Sequence, residues 1–172
     1  EKCKSLRNLC FSSDGNKRFI HEELGWNLRM TNMQAALGVA QLERIDEFVT
    51  KKRWIGNMYQ ELLSDIKSIN LPIKQKDFAE NIYWVFPVTL KDDYPKTAKE
   101  VMKELGAKGI GTRPFFYPMH TQPVFNKMGL FVDEEYPNAI KLYERGFYIP
   151  SGLAITEEQI KQVSKFLHEV LV

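Results

Sequence analysis

Metal and disulfide chemistry have little to work with in this chain. Its 172 residues include two cysteines and three histidines. Cys3 and Cys10 stand seven residues apart on what reads as a helical opening segment. That spacing puts them on one side, about two turns apart, too far for an easy bridge. His21, His120 and His168 are scattered, form no HExxH array, and bring no pair with zinc-ligand spacing. No metal site is expected, and both cysteines read as reduced thiols, which points to the cytoplasm. Charge of one sign is lacking too. The 24 basic and 22 acidic side chains are interspersed and leave a net +2. No basic stripe supports a nucleic-acid partner. No apolar run approaches the about 20 residues that cross a bilayer, and no signal-peptide pattern opens the chain, so no membrane association is expected. Repeats and low-complexity segments are missing as well. The start at Glu1 rather than methionine fits a truncated or processed piece. What is present, 44% hydrophobic and 27% charged residues, is enough for one sizeable core.

The most informative stretch is Gly25-Trp26-Asn27-Leu28-Arg29-Met30-Thr31-Asn32-Met33-Gln34. Thr31 and Gln34 form a T-x-x-Q capping box, which predicts a helix running onward from Asn32. A helix start carries unpaired N–H groups and the positive end of the macrodipole. A phosphate or carboxylate is favoured there, with Asn27 and Arg29 completing its shell; the same residues also make an ordinary capped helix. Trp26 reads as a staple for the helix start.

Elsewhere the punctuation outlines an alternating order. A helix tail over 1–11 precedes a polar loop over 12–18 with turn chemistry at Asp14-Gly15-Asn16. Ala36, Leu37 and Ala40, then Ile45, Phe48 and Val49, then Ile55, Met58, Tyr59, Leu62, Leu63 and Ile66 recur with helical period. They predict a long helix, or two nearly continuous ones, over 32–64. Such a helix braces two domains or a dimer seam, or else is a kinked core helix. Residues 82–90 read as a strand that Pro87 assigns to an edge or bulge. Thr97 and Glu100 cap a helix stopped at Gly106, and residues 110–116 read as a strand. Pro137 opens a short helix closed by Gly146, followed by a strand over 147–149. Thr156 and Gln159 cap a last amphipathic helix bearing Ile160, Val163, Phe166, Leu167 and Val170 on one face. The expected class is α+β, with helices on one face of a small, mainly antiparallel sheet.

A second candidate site lies where the strand after Gly111 runs out. Arg113 offers a fork of donors suited to a diphosphate or carboxylate. Phe115, Phe116 and Tyr117 are flat surfaces for a sugar or base, or equally core. His120 exchanges hydrogen bonds near neutral pH, and Pro114 and Pro118 stiffen the segment. Trp54 and Trp84 read as packing residues, and Lys51-Lys52-Arg53 as a solvated face.

These same segments carry a resemblance. The run from Gly25 to Asp46, then Gly109-Ile110-Gly111-Thr112-Arg113-Pro114-Phe115-Phe116-Tyr117-Pro118-Met119-His120, Tyr136-Pro137-Asn138-Ala139, Leu142 to Gly146 and Ile149-Pro150-Ser151 resemble, in order, the DegT/DnrJ/EryC1/StrS sugar aminotransferases. The resemblance implies the C-terminal small domain of a type I aminotransferase fold. Residues 1–30 would be the tail of the large cofactor domain and an interface loop, 31–66 a connecting helix or helix pair, and 67–172 the small domain. It implies pyridoxal 5'-phosphate as cofactor, bound as a Schiff base to a lysine upstream of this chain. It implies glutamate as the amino donor, a nucleotide-linked 4-keto-6-deoxy sugar of the perosamine type as acceptor, and a homodimer. Asn27 and Arg29 would meet the cofactor phosphate, in Asn27's case that of the opposite subunit. Arg113, Tyr117 and His120 would line the substrate pocket. Alone, the 172 residues would be a non-catalytic dimerisation or substrate-binding domain, or an assembly module built on the long helix.

Overall fold

The computed structural model describes every residue except Ser13 and Arg18, so those two positions of the expected 12–18 loop lie outside the described residues. The chain divides into two compact units, Glu1–Ile45 and Asp46–Val172.

In the first unit, helix α1 (Lys2–Arg7) is shorter than the sequence suggests. Its end is turned by Leu9 and Cys10, whose φ angles are +60° and +49°. Cys10 is therefore off the helix and does not share a face with Cys3; it is buried, and its thiol donates to Leu24 O at 3.3 Å. Both thiols are free. A single 3-10 turn follows at Gly15–Lys17. Helix α2 (Asn32–Leu42) starts at the expected capping box. Thr31 Oγ1 accepts from Gln34 N at 3.3 Å, and Gln34 Oε1 accepts from Thr31 N at 2.9 Å. None of its residues is buried, and Leu37 of the apolar face expected over this stretch is exposed.

Helix α3 (Ile45–Leu62) is a separate element, and the expected long helix is thus two helices, with a turn at 43–44. In the second unit it is followed by β1 (Ile69–Asn70), a two-stranded hairpin of β2 (Gln75–Lys76) and β3 (Ala79–Glu80), and β4 (Phe86–Leu90). Then come α4 (Ala98–Ala107), β5 (Arg113–Pro114), α5 (Pro123–Lys127), α6 (Pro137–Arg145), β6 (Gly146–Ile149) and α7 (Glu157–Leu171). The four-stranded sheet has the order β1-β4-β6-β5 and is antiparallel at every pairing. The class is α+β, as expected.

The core follows from alternation and helical period. Phe86, Val88 and Leu90 point inward from β4, and Phe147 and Ile149 from β6. They meet Tyr59 and Leu63 of α3, Val101 and Leu105 of α4, and Ile160, Val163 and Leu167 of α7, all buried. Fully burying such side chains contributes roughly 1.5–3 kcal/mol each. The boxes at Thr97 and Thr156 start α4 and α7 as expected.

Three expectations change. β4 is an inner strand, yet β1 pairs only with Thr89 and Leu90, so β4 has a single neighbour at Pro87, where a missing N–H is tolerated. Gly106 lies within α4; the stop comes at Gly109, whose φ of +80° favours glycine. The strand expected over 110–116 shrinks to Arg113–Pro114, since Pro114 has no N–H to extend the ladder.

Candidate functional site

Asn27 is held by its backbone neighbours. Trp26 N donates to Leu6 O at 2.8 Å, Leu9 N to Trp26 O at 3.1 Å, and Leu28 N to Arg7 O at 2.9 Å. This pairing demands Gly25: a Cβ there would sit 2.5 Å from Cys10 N. Trp26 keeps its ring largely exposed, so its part in this turn is played by its backbone rather than by stapling α2. Asn27 and Arg29 are both exposed. Arg29 Nε donates to Asn27 Oδ1 at 3.1 Å, which joins the two side chains. Among the described residues no other bond engages the Asn27 amide N–H groups or the Arg29 Nη groups. The capping box already meets two of the four N–H groups that a helix start leaves open. Taken one by one, an amide, a guanidinium and the remaining first-turn N–H groups are donors of the kind a phosphate accepts.

The second unit holds a pocket of about 600 Å³, lined among others by Lys52, Trp84, Arg113, Phe116, Tyr148 and Ser151. Helix α3 sets one wall. Tyr59 Oη donates to Pro150 O at 2.7 Å and Lys52 Nζ to Ser151 O at 2.5 Å, so one helix grips the chain leaving β6. Burial raises the pKa of the Tyr59 phenol and lowers that of the Lys52 ammonium. β5 sets the opposite wall: Arg113 and Pro114 pair with Tyr148 and Phe147 of β6. Phe115 stacks on Tyr148 with centroids 4.6 Å apart and occupies the space that Gly146 leaves open, where a Cβ would lie 2.4 Å from the ring. Phe115 thus turns inward, while Arg113 and Phe116 are exposed.

Tyr117 and His120 fall outside this pocket's lining. Tyr117 packs edge-on against Tyr143 with centroids 5.0 Å apart. His120, in a 3-10 turn over Met119–Thr121, packs against Tyr136 at 4.9 Å, and its Nε2 is buried with no hydrogen-bond partner among the described residues. Tyr136 donates to Glu134, and that bond raises the pKa of its phenol. Of the three residues expected to meet substrate, Arg113 alone borders the pocket.

The pocket also holds residues read differently from the sequence. Trp84 is 70% exposed rather than packed, whereas Trp54 lies partly buried against the core. Lys51-Lys52-Arg53 is no uniform solvated face: Lys51 Nζ lies 3.7 Å from the Trp54 ring centre, Lys52 reaches the pocket, and Arg53 pairs with Glu80 at 2.8 Å. Nothing local distinguished Lys52, because its partner is ninety-nine residues away (|i−j|=99). Among the described residues, no three His, Cys, Asp or Glu side chains gather as a metal site. No described helix is long and apolar enough to cross a membrane.

The profile of the DegT/DnrJ/EryC1/StrS aminotransferase family matches residues 1–168. The chain is 29% identical over 171 residues to the GDP-perosamine synthase of Escherichia coli O157:H7, covering 96% of this chain and 44% of that protein. It is 31% identical over 163 residues to the GDP-perosamine synthase of Caulobacter vibrioides, covering 92% of this chain and 42% of that one. The structure is similar to Helicobacter pylori PseC, an aminotransferase involved in the biosynthesis of pseudoaminic acid. The TM-score is 0.86 at 16% identity, over 99% of this chain and 45% of that one. The chain thus spans less than half the length of these relatives.

Proposed function

The chain belongs to the DegT/DnrJ/EryC1/StrS aminotransferase family, and from that premise we propose that it is the downstream portion of a sugar aminotransferase. In this reading the whole enzyme moves an amino group from glutamate onto a nucleotide-linked 4-keto-6-deoxy sugar of the perosamine type, for polysaccharide biosynthesis. It works in the cytoplasm as a homodimer. The match across residues 1–168 carries the reading; the exposed Asn27–Arg29 pair and the basic pocket beside Arg113 support it. Residues 1–30 are the tail of the cofactor domain and an interface loop, 31–66 the connecting helices, and 67–172 the small domain.

The family's cofactor, pyridoxal 5'-phosphate, supplies an electron sink for the carbon that loses or gains the amino group. The work of this chain's own residues is binding and orientation. The Asn27 amide and Arg29 guanidinium hold the phosphate by charge-assisted hydrogen bonds, and the Arg29–Asn27 contact fixes the amide plane. Arg113 presents two parallel donors to a diphosphate or carboxylate. In this reading Tyr117 and His120 contribute hydrogen bonds to sugar hydroxyls.

Residues 1–172 alone bind and assemble without turning over. The span of less than half the relatives' length favours this second reading for the isolated chain. The natural reading frame containing the chain is expressed and given pyridoxal 5'-phosphate, glutamate and a GDP-linked 4-keto-6-deoxy sugar. An aminated nucleotide sugar by mass spectrometry is expected from the whole frame, and none from residues 1–172. No product from the whole frame with any nucleotide-linked keto sugar overturns the proposal.

A further inference from the structure

We propose that Lys52 is a modification site: its amine takes an acyl group from a small acyl phosphate whose phosphoryl end is held by Arg113 in the same pocket. Amino transfer has no need of this chemistry, which is independent of the aminotransferase reading. Lys52 and Arg113 both line the cavity of about 600 Å³, within the usual range of about 300–1,000 Å³ for small-molecule sites. Among the described lining residues they alone carry charge. No lining carboxylate pairs with either, so the cavity favours an anion.

Other lysines are engaged differently. Lys96 pairs with Glu104, Lys108 with Glu169, Lys141 with Asp92 and Lys161 with Glu157. Lys51, next in sequence to Lys52, lies 3.7 Å from the Trp54 ring centre. Carboxylates and ring faces attract an ammonium, and an ammonium has no lone pair with which to attack. Lys52 instead donates to an uncharged partner, Ser151 O, at 2.5 Å. Burial lowers the pKa of Lys52, whereas carboxylate partners raise those of Lys96 and Lys161. A desolvated lysine amine is a nucleophile near neutral pH. The bond to Ser151 O uses one N–H and leaves the lone pair of the neutral amine free.

Arg113 supplies the other half. Its side chain is exposed and has no ion pair among the described residues. A guanidinium holds a phosphate through two parallel hydrogen bonds. The two cations are tied to one stretch of chain, because Arg113 pairs with Tyr148 and Lys52 grips Ser151. Those two anchor points are at most about 11 Å apart even on an extended backbone, within the joint reach of two long side chains. The ammonium first gives a proton to water. The lone pair then forms a bond to the acyl carbon, the bond from that carbon to the phosphoryl oxygen breaks, and phosphate leaves with a second proton from the nitrogen. The product is an uncharged amide, which removes one of the pocket's two positive charges.

The 172-residue chain is incubated with acetyl phosphate near neutral pH, and its lysines are followed by mass spectrometry. Lys52 is expected to be acetylated at least about fivefold faster than Lys108, and inorganic phosphate should compete at Lys52. Arg113→Gln should slow Lys52 about tenfold or more, and Arg113→Lys should recover part of the loss. The acetyl ester of N-hydroxysuccinimide, which carries no phosphate, should acylate Lys52 equally fast in Arg113→Gln and in the unmodified chain. Because the Arg113 side chain is exposed, matching circular dichroism spectra identify intact variants. Lys52 reacting no faster than Lys108 overturns the modification site. A Lys52 rate unmoved by Arg113→Gln, or lowered equally with both reagents, overturns capture of the phosphoryl group and the proposal with it. Both outcomes leave the aminotransferase reading standing.

Discussion

Replacing Gly56 with alanine should destabilise the second unit, although the same change usually strengthens a helix. Gly56 lies within α3, where glycine costs about 0.5–1 kcal/mol relative to alanine. The added Cβ, however, would come 2.2 Å from two carbons of the Tyr83 ring. The ring cannot yield cheaply, since it is 3% exposed and stacked on Phe86. Overpacking of this kind costs about 1–3 kcal/mol, and complete expulsion of the ring forfeits about 1.5–3 kcal/mol of burial. After the helix gain, the net loss is about 1–2 kcal/mol, or roughly 3–10 °C in Tm for a unit of this size. Urea unfolding followed by circular dichroism measures it. Gly106→Ala is the control: Gly106 also lies in a helix, nothing stands within 4 Å of its added Cβ, and the change should stabilise by about 0.5–1 kcal/mol. In a Tyr83→Ala background the cost of Gly56→Ala should largely vanish. A Gly56→Ala chain as stable as the unmodified one would refute the close-contact argument.

Asn27→Ala in the whole frame should weaken retention of pyridoxal 5'-phosphate by about tenfold, read by cofactor absorbance after dialysis; unchanged affinity refutes its phosphate role. Thr97→Ala should cost about 1 kcal/mol in urea unfolding, because Thr97 Oγ1 caps Glu100 N at 3.3 Å. Arg145 donates to Asp92 O, Tyr94 O and Lys96 O at 2.6–3.0 Å, so Arg145→Ala should lower stability by about 2–3 kcal/mol with an unchanged m value. His168 binds Ser164 O and Asp65, which raise its pKa above the ordinary 6.5 despite partial burial. Its stabilisation is full below that ordinary value and is lost as pH rises through the raised one. Tm measured at about pH 6 and pH 8 should therefore fall more in the unmodified chain than in His168→Gln.

The local grammar of the chain was legible without coordinates. Each capping box is an i to i+3 pairing, so Thr31, Thr97 and Thr156 mark real helix starts. Period also revealed the buried face of α7, and Pro137 with Gly146 bracketed α6. Asn27, Arg29 and Arg113 could be nominated from the sequence because their motifs are short and contiguous, and the phosphate and substrate roles proposed for them await the variants above. The errors arose where a partner decides the outcome. Residues 110–116 have strand-like composition, but β6 offers pairing only at Tyr148 and Phe147. Pro87 suggested an edge or bulge, and the strand is singly flanked there only because β1 is two residues long.

By itself, then, the sequence determined the α+β class, the helix starts, the apolar faces that form the core, and the family motifs. Their signals lie within a few residues of one another along the chain, where hydrogen-bond spacing and side-chain period act directly. Only the tertiary structure decided that Trp84 faces solvent while Tyr83 is buried, and that Lys52 meets Ser151 across ninety-nine residues (|i−j|=99). Those outcomes depend on which surface Gly56 leaves open and which carbonyl β6 delivers to α3. Contacts between distant segments are set by packing, and no local pattern records them.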